Sequence, residues 1–132
     1  MTAPQIPNTL CHVESEPQRG YLRVTVTGVR TTMEASIVMW REIGRQIAAH
    51  GARRALIVSK LSGPMPTPEE QHRIMQSLVG QGFEGVRTAF VLEDSVRVAA
   101  LEHGEIAARE LGQETRVFGS EALADVWLRH GL

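Results

Sequence analysis

Ala55-Leu56-Ile57-Val58 constrains this chain more than any other stretch. An unbroken apolar run of this kind is the signature of a strand buried on both faces, as happens in a parallel sheet with covering layers above and below. Parallel neighbours cannot be joined by a tight turn, so crossover helices must flank the run. The chain supplies them.

Leu10 to Glu16 and Tyr21 to Thr27 read as two short strands, joined by the turn residues Pro17-Gln18-Arg19-Gly20 into an antiparallel hairpin. In the second strand Leu22, Val24 and Val26 alternate with Arg23, Thr25 and Thr27, giving one covered face and one polar face. Thr31 and Glu34 have capping-box spacing, and the helix they open runs to about His50, with Gly51 at its C′ position. Met33, Ile37, Trp40, Gly44, Ile47 and Ala48 form its expected inward face. After the buried run, Ser59 to Pro66 is the most irregular stretch inside the domain. Thr67-Pro68-Glu69-Glu70 then starts a helix with the apolar stripe Ile74, Met75 and Leu78, ended by Gly80 and Gly82. Val86 to Leu92 is a fourth strand, and Glu93-Asp94-Ser95 leads into one long helix ending near Leu111-Gly112. Thr115 to Phe118 is a fifth strand, and Gly119-Ser120 opens a last helix carrying Leu123, Trp127 and Leu128.

The order β-β-α-β-α-β-α-β-α predicts an α/β domain with a mixed, mostly parallel sheet of about five strands over residues 10–132, preceded by a loose tail at 1–9. A length of 132 residues with 42% hydrophobic and 22% charged residues suits one globular domain. Fourteen Lys plus Arg against fifteen Asp plus Glu leave a net charge of -1, without the basic excess that phosphate neutralisation demands, so no nucleic-acid partner is expected. Cys11 is the only cysteine, which rules out an intramolecular disulfide and a thiolate-rich metal site. With no signal-peptide pattern and no apolar run of about 20 residues, the expectation is a cytoplasmic protein that does not span a membrane.

Two strings carry a family resemblance. Lys60-Leu61-Ser62-Gly63, just after the buried strand, is similar to the D-L-S-G of STAS domains. Arg116-Val117-Phe118, followed by Glu121-Ala122-Leu123-Ala124 and Trp127-Leu128, resembles the ending of small bacterial SpoIIAA-like proteins and their STAS/SEC14 relatives. The resemblance implies a SpoIIAA-like fold and a non-enzymatic binding or regulatory role through a protein partner or self-association, such as a homodimer. The SEC14 side of the group implies an alternative, a carrier of a lipid or other apolar ligand. Signalling members carry a phosphorylated Asp-Ser after the third strand; here Lys60 replaces the first motif residue and Pro66-Thr67-Pro68-Glu69 contains no Asp-Ser. Asp94-Ser95 follows the fourth strand instead, so a phosphorylation switch is not implied.

Ligands of open α/β sheets gather beyond the carboxyl ends of the strands. That makes Ser62, Gly63 and Met65 in one loop, and Glu93, Asp94 and Ser95 in another, candidates for a ligand or partner. His103 projects from the middle of a face formed by Val96, Ala99, Ala100, Ala107 and Leu111, as a switchable histidine or as a packed core residue. Ala100, Gly104 and Ala108 recur at four-residue spacing beside it and permit close approach of another helix. Met33, Met39, Met65 and Met75 are suited to line an adaptable apolar pocket. Glu69, Glu70, Glu93 and Asp94 read as helix-dipole partners in preference to a cation site. The five histidines show no zinc-binding spacing, so neither metal nor other cofactor is expected. Gly80-Gln81-Gly82-Phe83-Glu84-Gly85 precedes a strand and lacks the mechanism of a dinucleotide loop. A hydrolase or transferase built on Ser62 with His72 or His103 is the weakest alternative, since nothing in the sequence brings base and nucleophile together.

Overall fold

A computed structural model describes residues 10–131; the tail expected at 1–9 lies outside them. Five strands, β1 (Leu10–Gln18), β2 (Tyr21–Val29), β3 (Arg54–Ser62), β4 (Arg87–Val91) and β5 (Glu114–Phe118), form one sheet in the order β1-β2-β3-β4-β5. β1 and β2 pair antiparallel through the Arg19-Gly20 turn, and the other pairs are parallel. The helices are α1 (Met33–Ala49), α2 (Pro68–Ser77), α3 (Ser95–Ala100), α4 (Glu102–Glu110) and α5 (Glu121–His130). Strand order follows chain order without reversal. Right-handed crossovers that all step the same way must therefore lie on the same side of the sheet. The main core gathers there, with Met39, Ile43 and Ile47 of α1 and Ile74 of α2 on Val24, Ile57 and Phe90 of the sheet.

The last helix follows the last strand and is free to cover the opposite face. Ala124, Trp127 and Leu128 of α5 pack on Leu56, Val58, Ala89 and Val91. Alternate residues of β3 thus serve two cores, and all four of Ala55 to Val58 are buried, as the apolar run demands. Polar clamps hold α5 at both ends. Arg23 of β2 pairs with Glu121 at 3.0 Å, and Arg87 of β4 donates to the Trp127 carbonyl at 3.0 Å.

The sequence reading needs four local corrections. Thr32, not Thr31, caps α1: its side chain accepts from the Ala35 N–H. The inward stripe of α1 is also rotated from the expected one. Gly44 and Ile47 are buried as expected, but Ser36, Met39, Ile43 and Gln46 complete the stripe, while Met33, Ile37 and Trp40 sit half-buried at its margin and Ala48 is exposed. The reason is polar burial. Ser36 Oγ accepts from Arg30 Nε at 3.1 Å, and Gln46 Nε2 donates to the Val13 carbonyl, so both enter the core with their bonding needs met in part. Third, Ser59 to Ser62 is no irregular loop but the continuation of β3, paired with Val26 to Val29 of β2.

The fourth correction concerns the single long helix expected between β4 and β5, which is broken at Leu101. In an unbroken helix the Gly104 N–H would bond to the Ala100 carbonyl. Here the Gln71 amide of α2 stands between them, donating Nε2–H to Ala100 O at 2.7 Å and accepting from Gly104 N at 2.8 Å. Insertion of a side chain into the helical ladder is a recognised cause of a sharp kink. Gly104 leaves room for it, since a Cβ there would lie 3.1 Å from Gln71 Oε1. The Ala100-Gly104-Ala108 stripe does receive another helix, α2. The face expected to be packed turns outward instead, with Val96 77% exposed and Ala99, His103 and Leu111 also at the surface. His103 is therefore not embedded in an apolar face, and of that set only Ala107 is buried.

Candidate functional site

β3 outruns β4. The two strands pair only as far as Val58 and Val91, whereas β3 continues beside β2 for four more residues. β4 ends there and turns toward β5, with the Leu92 N–H bonding to the Phe118 carbonyl at 3.0 Å. A gap opens beside Ser59 to Ser62 on the face covered by α1, α2 and α4, and a cavity of about 90 Å³ fills it. Leu61, Phe90, Leu92 and Val117 form its sheet side, and Met39, Trp40, Ile74, Met75 and Leu101 its helical side. Trp40 is held in place by Phe90 and Phe83, with ring centroids 5.2 and 5.9 Å away. A larger depression of about 530 Å³, between the β1–β2 turn and Arg53-Arg54, lies at the opposite end of the parallel strands and is more open to solvent.

The segment Gly63 to Pro66 and two arginines frame the mouth. Gly63 has φ +97°, and a Cβ there would stand 2.5 Å from the Arg30 carbonyl, so glycine is required by both conformation and space. Arg30 follows β2 and is only 8% exposed. It donates to Ser36 Oγ at 3.1 Å, to the Pro64 carbonyl at 3.4 Å and to Glu70 Oε1 at 3.4 Å. Arg97 of α3 reaches over to the Gly63 carbonyl and to Met65 Sδ, each at 3.4 Å. Thr67 and Glu70 complete a capping box at the start of α2, where the Thr67 N–H donates to Glu70 Oε1 at 3.0 Å. That backbone bond, followed by the Arg30 charge, holds the Glu70 carboxyl below its ordinary range.

Of the residues singled out in the sequence, Ser62, Gly63 and Met65 line the cavity, together with Met39 and Met75. Met33, Glu93, Asp94, Ser95 and His103 do not. Asp94 is the N-cap of α3, accepting from the Val96 N–H at 2.9 Å and the Arg97 N–H at 3.4 Å. Ser62 Oγ donates to the Gly28 carbonyl at 3.3 Å, and among the described residues no hydrogen bond joins it to His72 or His103. No three His, Cys, Asp or Glu side chains among the described residues are gathered to hold a metal ion. Arg30, Gln71, Arg97 and Glu105 also line the cavity and were not singled out. Arg30 and Gln71 had one available signal, a polar residue standing at a strand end or on an inward helix stripe. The sequence matches no protein-family model and resembles no curated protein. The molecule belongs to the α/β class, and among its described residues no helix is long and apolar enough to cross a membrane.

Proposed function

We propose that this protein is a non-enzymatic binding module of STAS-like architecture whose ligand is a small apolar molecule seated between β3, β4 and the helices of the main core. The cavity itself carries the reading. It is concave and largely apolar with a few convergent polar groups at one end, which is the usual make-up of a small-molecule site. Met39, Met65 and Met75 give its wall unbranched side chains that adapt to different shapes. The engagement of Ser62 Oγ with a backbone carbonyl favours binding over nucleophilic chemistry.

Trp40 touches the cavity, whereas Trp127 is in the other core. A Trp127→Phe variant therefore isolates a fluorophore at the site. Titration with 1-hexanol or 2-phenylethanol should shift its emission saturably, and native mass spectrometry of gently purified protein should show an adduct. A clean apo mass combined with unmoved emission would overturn the proposal.

A second reading, contact with a protein partner or a second copy, is favoured by one surface feature. Leu123 and Val126, neighbours on α5, are 62% and 42% exposed. Light scattering across a concentration series should then show a dimer that Leu123→Glu abolishes. A monomer throughout removes self-association.

A further inference from the structure

The proposed apolar site has a charged mouth, and the mouth narrows the choice of ligand. We infer that the cavity takes a short-chain or aryl carboxylate, its apolar body among the methionines and Trp40 and its carboxylate held by Arg97 and Arg30. This rests on the reading of the cavity as a ligand site and adds the chemical class.

Two guanidinium groups converge on adjacent carbonyls of one loop, Arg30 on Pro64 and Arg97 on Gly63. Neither is tightly paired. A guanidinium offers five N–H donors in a planar fork. Arg97 directs one toward a thioether, a weak acceptor, and one toward a carbonyl at 3.4 Å; its nearest carboxylate oxygen, Asp94 Oδ2, is 3.9 Å from Nε. Arg30 is more deeply buried, and a charge at that depth ordinarily has a close counter-ion. Its carboxylate contact is a single long one, to Glu70 Oε1.

Three carboxylates stand near the mouth; Glu70 and Asp94 meet the arginines only at 3.4 and 3.9 Å, and all three are engaged by other donors as well. Glu70 Oε1 accepts the Thr67 N–H, and Asp94 Oδ1 caps α3. Glu105, which lines the cavity, accepts from the Val117 N–H at 3.0 Å through Oε2 and pairs with Arg109 at 2.7 Å through Oε1. The donors left over therefore belong to the two arginines, at the end of an apolar cavity. A carboxylate matches a guanidinium fork in plane and in spacing. A cavity of about 90 Å³ admits a short alkyl chain or a single ring and not the body of a membrane lipid.

The test compares hexanoate and phenylacetate with their neutral counterparts 1-hexanol and 2-phenylethanol, and with inorganic phosphate, read by Trp40 emission in the Trp127→Phe protein at pH 7. Each carboxylate should bind at least about tenfold more tightly than its alcohol, the factor a charge-assisted hydrogen bond supplies. Arg97→Gln should weaken the carboxylates by most of that factor and the alcohols much less, while Arg97→Lys retains part of the preference. Arg97 lies on a helix with no buried residues, so these variants should fold, and a circular dichroism melt verifies it. Equal binding of acid and alcohol, or equal weakening of both by Arg97→Gln, overturns the carboxylate assignment and leaves the apolar site standing. Arg97-dependent binding of phosphate alone also overturns it, by showing a plain anion site. If neither acids nor alcohols move the emission, the apolar site itself is wrong and the assignment falls with it.

Discussion

Gly63 shows how much can rest on a missing methyl group. Its positive φ and the 2.5 Å that a Cβ would leave to the Arg30 carbonyl both oppose any side chain. Gly63→Ala should cost about 2 kcal/mol, lowering the thermal midpoint, and should displace Arg30 from the cavity mouth. Thr88 presents the opposite case. Its side-chain oxygen is buried in the interior strand β4 with no hydrogen-bond partner among the described residues. Thr88→Val keeps the shape and removes the unmet hydroxyl, so stability in urea should rise by about 1 kcal/mol. The two residues differ in legibility. Gly63 stood out as a glycine after a strand, whereas an unpaired hydroxyl depends on what roughly six to twelve neighbours fail to offer, and no sequence pattern encodes that.

At the scale of elements, the junction of α2 with α3 and α4 sets the shape of the site. Gln71 satisfies the two backbone groups freed by the break and also donates to the Pro66 carbonyl at 3.0 Å. Gln71→Leu should therefore destabilise the protein by roughly 2–4 kcal/mol and accelerate hydrogen exchange at the Gly104 amide, because two partly buried groups lose their partner at once. The start of α2 is sensitive to acid. Glu70 titrates below its ordinary value of 4.5, chiefly because its carboxylate accepts the Thr67 N–H. A carboxyl depressed by folding contributes its stabilisation in full above the unfolded value, and the contribution fades as pH falls through the lower folded value. Protection factors of the amides at the first turn of α2, measured against the intrinsic exchange rate at each pH, should fall below about pH 4.5, and Glu70→Gln should remove most of that pH dependence. The capping box was visible beforehand because it is local, four residues with fixed spacing. The helix break was not, since its cause lies about thirty residues upstream, on another helix.

At the scale of the whole molecule, the sheet is shared by two cores, one under α1, α2 and α4 and one under α5. Adjacent residues of β3 and β4 point into different cores, so neither layer can melt without exposing the strands that support the other. Emission from Trp40 in Trp127→Phe and from Trp127 in Trp40→Phe should, after allowance for each variant's own stability, report a single transition coincident with loss of helical dichroism. Separate transitions would show that α5 is an independently melting layer. By itself the sequence determined the class of fold and the antiparallel pairing of β1 with β2. Period-two strands, a doubly buried apolar run and capping signals are all encoded within a few residues, and crossover handedness leaves few ways to arrange them. Only the tertiary structure decided where the cavity lies and which residues frame it. That outcome depends on β3 being four residues longer than its neighbour, on polar side chains entering the core with partners far along the chain, and on one glutamine splitting a helix. These are relations between distant segments, which neither periodicity nor local spacing records.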